Sequence, residues 1–170
     1  MTLKILFLLS VLVIAVAADI RNNRIPNWLT LPAMITGVGL NMISAGADGL
    51  LFGMEGLLLG MAPFIALYIV GGMGAGDVKL MGAVGAILGP KMVIMAALYT
   101  AIAGGVYALA VIAFHPRARA TRKALIDTIK GFIHYQMLRY NKPQTAENSP
   151  RLCYAVAIAI GTIAVVMLKA

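Results

Sequence analysis

Asp19 and Asp77 are the residues from which chemistry can most readily be built. The chain of 170 residues holds 6 acidic side chains: Asp19, Asp48, Glu55, Asp77, Asp127 and Glu147. Only Asp19 and Asp77 stand at the ends of apolar segments that the charge pattern assigns to one membrane face. An acidic group in that position is expensive and is a functional hypothesis by default. Two carboxylates that meet can share one proton. The ionised one takes a proton from water, and the protonated one polarises a carbonyl. Like charges in close approach split their ionisations, and the apparent values belong to the pair. This is acid–base chemistry suited to amide hydrolysis, and it needs no metal or cofactor. The bland alternative is that Asp19 merely ends one helix and Asp77 merely caps another.

Other candidates are weaker. The run Gly71-Gly72-Met73-Gly74-Ala75-Gly76-Asp77 is rich in glycine, which permits left-handed dihedrals and close approach beside Asp77. Irregular backbone at membrane depth is tolerated where it lines protein or a wet cleft. A phosphate loop would end in Gly-Lys-Ser/Thr after a strand, and neither feature is present. Gly37, Gly39, Gly82 and Gly85 suit helix packing. Cys153 has no acidic or histidine neighbour in sequence and reads as packing. His115 and His134 are too isolated for a metal site and suit headgroup contact. Lys79 either tunes the acid pair or anchors a helix end among phosphates.

The elements that must position these groups are apolar helices. Of the chain 61% is hydrophobic and only 12% charged, which excludes disorder and an ordinary soluble domain. The expected fold is all-α: a polytopic membrane protein of about six transmembrane helices in one integral-membrane domain, 1–170. The spans are expected near 3–18, 28–44, 50–70, 77–88, 91–114 and 152–168. Asn27 would cap the second, and Trp28 would sit at the interface. One helix over residues 78–114 would reach about 55 Å, too long for a core of about 30 Å, and Gly89-Pro90 supplies the break. The basic segment 115–151 carries Leu125, Ile126, Ile129, Phe132, Ile133 and Met137 at helical spacing, which predicts an amphipathic helix on the cytoplasmic surface.

Charge sets the orientation. With the N-terminus outside, 11 of the 14 Lys and Arg fall in inside loops and 3 outside. Asp19 and Asp77 then share the cytoplasmic side of the cell's inner membrane. The net charge of +8 therefore points to anionic lipid headgroups rather than nucleic acid. Lys4, the apolar run and Ala15-Val16-Ala17 imitate a cleavable secretory signal. Arg21 and Arg24 after the run outweigh Lys4 before it, which favours an uncleaved first helix.

Together the two aspartate segments are recognisable. Gly72 to Leu80, Gly-Met-Gly-Ala-Gly-Asp-Val-Lys-Leu, resembles the G-x-G-D segment of type IV prepilin peptidases. Asp19 to Thr30, Asp-Ile-Arg-Asn-Asn-Arg-Ile-Pro-Asn-Trp-Leu-Thr, resembles the segment that carries their first aspartate. The likeness is good over residues 1–114, while the basic stretch and last helix agree only in general character. It implies an intramembrane aspartyl endopeptidase that removes the basic leader from prepilin or pseudopilin precursors at the cytoplasmic face. Asp19 and Asp77 match the catalytic pair, and Gly74 and Gly76 the motif glycines, with Lys79 in support. Larger members carry a cytoplasmic domain with paired C-x-x-C motifs, and many N-methylate the new terminus. The single Cys153 and the absence of such a domain make methyltransferase activity doubtful. The compact form is most like the peptidases of tight-adherence (Flp) pilus systems, and short archaeal preflagellin peptidases are similar as well. The competing reading is a transporter or pilus-assembly subunit that uses the same aspartates as an ion or proton site. A transporter more often shows inverted repeats and midplane acids, which are not evident here. A purely structural bundle is the third.

Overall fold

The computed structural model of the protein describes residues 2–69, 73–114 and 153–169. All of its regular structure is helical: α1 (Thr2–Asn22), α2 (Asn27–Ile69), α3 (Ala75–Leu88), α4 (Pro90–Phe114) and α5 (Tyr154–Lys169). Among the described residues, three helices are long and apolar enough to cross a membrane: α1, α2 and α4. The shorter α5 is an apolar helix over Tyr154–Leu168. Large apolar side chains cover the outside, including Leu6, Val13, Ile35, Leu58, Leu98 and Ile102. Such a surface is at home in lipid, and the chain is a membrane protein.

The chain divides into two compact units, 1–104 with 153–170, and 105–152. Of the second unit, only the end of α4 lies among the described residues. The amphipathic helix expected over 115–151, with His115 and His134, lies outside them.

The core of the first unit is α3. Val78, Leu80, Met81, Ala83, Val84, Ala86 and Ile87 are all buried. The long helix α2 breaks at Ala45 and Gly46, where Gly46 takes φ 59° and ψ −135°. Its arms, 27–44 and 47–69, fold back on each other and hold α3 between them. Glycine makes this possible. A methyl group on Gly49 would overlap the Asn41 carbonyl, and one on Gly56 would overlap the Gly85 carbonyl. Gly53 faces Val38, and Gly60 faces Met81. Gly49, Gly53, Gly56 and Gly60 thus form one stripe at spacings of four, three and four, the pattern that lets helices approach backbone to backbone.

Of the four glycines expected to pack helices, Gly37, Gly82 and Gly85 do so, against Ala86 and Ile87, Met61 and Met34, and Gly56. Gly39 does not, because its outer side is open. The break at Gly89-Pro90 stands where expected. Gly89 adopts φ +81°, and any side chain there would meet the Phe52 ring. The helix α1 buries Leu8, Val11, Leu12 and Ala15 on one stripe, and Asp19 continues that stripe into its last turn. Asn23, at φ 50°, ends the helix in the left-handed conformation that asparagine tolerates.

Candidate active site

Asp19 and Asp77 come from different elements and are both buried, with 7% and 8% of their surfaces exposed. They are close enough for the charge on Asp19 to bear on Asp77. Burying a carboxylate without compensation is costly, so each must find a donor. Asp77 is the third residue of α3. Its Oδ2 accepts the Gly74 N–H at 3.1 Å, the acid half of a capping box. The carboxylate thereby lies at a helix N-terminus, where the dipole favours negative charge.

Asp19 has the opposite local setting. It lies in the last turn of α1, where unpaired carbonyls disfavour an anion. Its donor comes from far along the chain. Asp19 Oδ2 accepts the Ala155 N–H at 3.3 Å, in the first turn of α5. That N–H is one of the few with no partner inside its own helix, so the bond serves both groups.

The two motif segments also touch directly. A side chain on Gly76 would press on Ile25, with Cβ at 3.0 Å and its carbonyl O at 3.1 Å. A side chain on Gly74 would meet Asp77 Oδ2 at 3.2 Å. The expectation of left-handed dihedrals here is corrected for these two residues. Gly74 is extended at φ −82° and ψ 151°, and Gly76 has no positive φ. They are small because neighbours lie close, not because the backbone is unusual. Residues 70–72 lie outside the described set.

One further expectation changes. Asn27 does not cap α2. The Pro26 carbonyl receives the Leu29 and Thr30 N–H groups at 3.1 and 3.4 Å, so the cap position is Pro26. Asn27 Oδ1 instead accepts Lys79 Nζ at 2.9 Å, an exposed tie between the start of α2 and the first turns of α3. Lys79 is therefore an anchor to a side chain rather than a partner of either aspartate. Cys153, which has no acidic neighbour in sequence, has acid near it in the fold. The charges of both Asp19 and Asp77 bear on it, and that of Asp77 reaches Tyr154. Local sequence could not show this, since 134 residues separate Cys153 from Asp19. Among the described residues, no group of three or more His, Cys, Asp or Glu side chains is placed to hold a metal ion.

Residues 6–109 match the model of the type IV leader peptidase family. The chain belongs to that family. Its members are peptidases of the aspartic type, and the matched span contains Asp19, Gly74, Gly76, Asp77 and Lys79. The span ends within α4, so α5 and its bond to Asp19 lie beyond it. No curated protein and no solved structure matches the chain significantly.

Proposed function

We propose that this protein is an intramembrane aspartyl endopeptidase that removes the basic leader from prepilin or pseudopilin precursors, acting as one integral-membrane domain. The observation that carries this is the pair Asp19 and Asp77, two buried carboxylates near enough for the charge of one to bear on the other, each with one backbone donor among the described residues. With one donor each among the described residues, both carboxylates keep lone pairs for water and substrate. With one proton between them, the ionised carboxylate takes a proton from water as the oxygen attacks the scissile carbonyl. The protonated one gives its proton to the carbonyl oxygen. Collapse of the tetrahedral species breaks the C–N bond and returns a proton to the leaving amine.

The membrane setting suits a leader substrate. The distribution of Lys and Arg supports an N-terminus outside and both aspartates at the cytoplasmic face of the inner membrane. A basic leader held at the anionic surface, with its apolar helix in lipid, brings the scissile bond to that depth. The short 23–26 link between α1 and α2 holds no intervening domain, which supports a precursor of the tight-adherence type and peptidase activity without N-methylation.

The test is co-expression with a tight-adherence prepilin, comparing wild type with Asp19→Asn and Asp77→Asn. A leader-sized mobility shift with wild type only is the expected result. A correctly inserted wild type that cleaves no prepilin of a broad panel would favour the ion- or proton-site reading instead.

A further inference from the structure

We infer that the first turn of α5 is part of the reactive centre, with Ala155 as a positioning residue whose N–H holds the Asp19 carboxylate in place. This rests on the assignment of Asp19 to the hydrolytic pair.

The two aspartates solve the same problem in unequal ways. Asp77 is held from within its own element, by an N–H three residues away at the start of α3. Asp19 lies at the wrong end of its own helix for a negative charge. What compensates it is the N-terminus of another helix, 136 residues later in the chain. Ala155 is fully buried, and the Cys153 carbonyl accepts the Val156 N–H at 3.3 Å, which starts α5 at that point. The placement of α5 is itself determined by close packing. Gly161 lies against Thr100 of α4, where any side chain would overlap the Thr100 backbone, and Ile158, Thr162 and Val165 are buried. The last helix thus carries a donor to a carboxylate it could not reach if it were shifted by one turn, about 5.4 Å. Its contribution is a backbone group, so no side-chain motif marks it.

The test removes the N–H while keeping the volume. Lactic acid in place of Ala155, introduced in the full-length protein, turns the 154–155 amide into an ester. Ala155→Pro removes the same donor genetically and is tolerated in a helix's first turn. Ala157→Gly, which alters a buried position of the same helix without touching that N–H, is the control. We expect the ester and Ala155→Pro to lower kcat for leader cleavage about tenfold or more with KM nearly unchanged. The limb of the pH–rate profile set by the acid pair should move as well. Ala157→Gly should stay within about threefold of wild type with its pH profile intact.

A second readout needs no turnover. Amide hydrogen exchange at Ala155 should quicken at least about tenfold in Asp19→Ala and stay unchanged in Asp77→Ala. Exchange as slow in Asp19→Ala as in wild type would overturn the proposal. So would wild-type kcat and pH profile in the ester variant, or a loss of kcat with an unmoved pH profile. If wild type cleaves no precursor at all while exchange behaves as expected, the peptidase reading fails and the Asp19–Ala155 link stands.

Discussion

The two ends of α3 are built from the same materials and behave as opposites. At its C-terminal end, Asn41 reaches over from α2. Its Nδ2 lies within bonding distance of the carbonyls of Ala86 at 2.7 Å, Ile87 at 3.4 Å and Gly37 at 3.2 Å. Its Oδ1 accepts Lys4 Nζ from α1 at 2.8 Å. The Gly85 carbonyl takes the Gly89 N–H at 2.8 Å. Every group of that amide is committed, and carbonyls that a helix end leaves without partners are satisfied by another element. At the N-terminal end, Asp77 and the nearby Asp19 are equally buried, yet among the described residues each accepts one hydrogen bond. A fully satisfied polar network locks an end in place. A sparsely satisfied one keeps capacity for a ligand at the cost of charge burial. The first end reads as a pivot and the second as a working end.

The sharpest break in this comparison is Asp→Asn at the working end. Asp19→Asn and Asp77→Asn should each lower leader cleavage by about a thousandfold or more, since neither amide can cycle a proton. The amide oxygen still accepts the Ala155 or Gly74 N–H, so membrane insertion and Tm should change little. Purified variants assayed with a prepilin check this, and retained turnover in either would end the two-aspartate account.

The pivot should fail in the other currency, stability. Gly56→Val places methyl groups into the Gly85 carbonyl and should cost about 3 kcal/mol or more. Asn41→Ala leaves two helix-end carbonyls and the Lys4 ammonium without their partner, for a loss of about 2 kcal/mol. Thermal unfolding in detergent reads both. Activity per folded molecule at low temperature should be preserved in Asn41→Ala. A selective loss of kcat there would show that the pivot is not separate from the chemistry.

Gly76→Val lies between these cases. Branched methyl groups would push Ile25 away and shift the 23–26 turn that links Asp19 to α2. The expected loss is about ten- to a hundredfold in kcat with a smaller drop in Tm. Ile25→Ala, by opening space, should partly restore Gly76→Val. Absence of any rescue would mean that the contact is not what makes the glycine necessary.

Much of this was legible in the sequence, because the signals are local. Length and hydropathy mark the apolar helices, and Gly46, unmarked by any such signal, still falls in the interval left between the spans expected at 28–44 and 50–70. The Gly89-Pro90 dipeptide stops one helix and starts the next. What escaped was relational. The Gly49, Gly53, Gly56 and Gly60 stripe was visible as spacing, but only the fold shows that Gly49 and Gly53 face the other arm of α2 while Gly56 and Gly60 face α3. For Gly74 and Gly76 the sequence offered both dihedral freedom and close approach, and only the fold shows that crowding by Asp77 and Ile25 is the reason that applies. The bond from Ala155 to Asp19 has no local signature, because a backbone N–H is common to every residue but proline.

The smallest effect expected is at Lys79, and it decides between two roles that the sequence left open. If the ammonium tunes the aspartates, removing it should displace the pH–rate profile. The structure instead directs Nζ to Asn27 Oδ1 at 2.9 Å in an exposed position, where solvent weakens any effect on the buried pair. Lys79→Ala should therefore cost at most about 0.5 kcal/mol and change kcat less than about threefold, with the pH profile unmoved. Lys79→Gln retains a donor for Asn27 without the charge and should recover the lost stability. Asn27→Ala should be no worse than Lys79→Ala, and the double variant no worse than either, since all three remove one bond. A pH profile that moves in Lys79→Ala and in Lys79→Gln, but not in Asn27→Ala, would assign the effect to charge. Lys79 would then belong to the working end of α3 rather than to the tie that holds it beside α2.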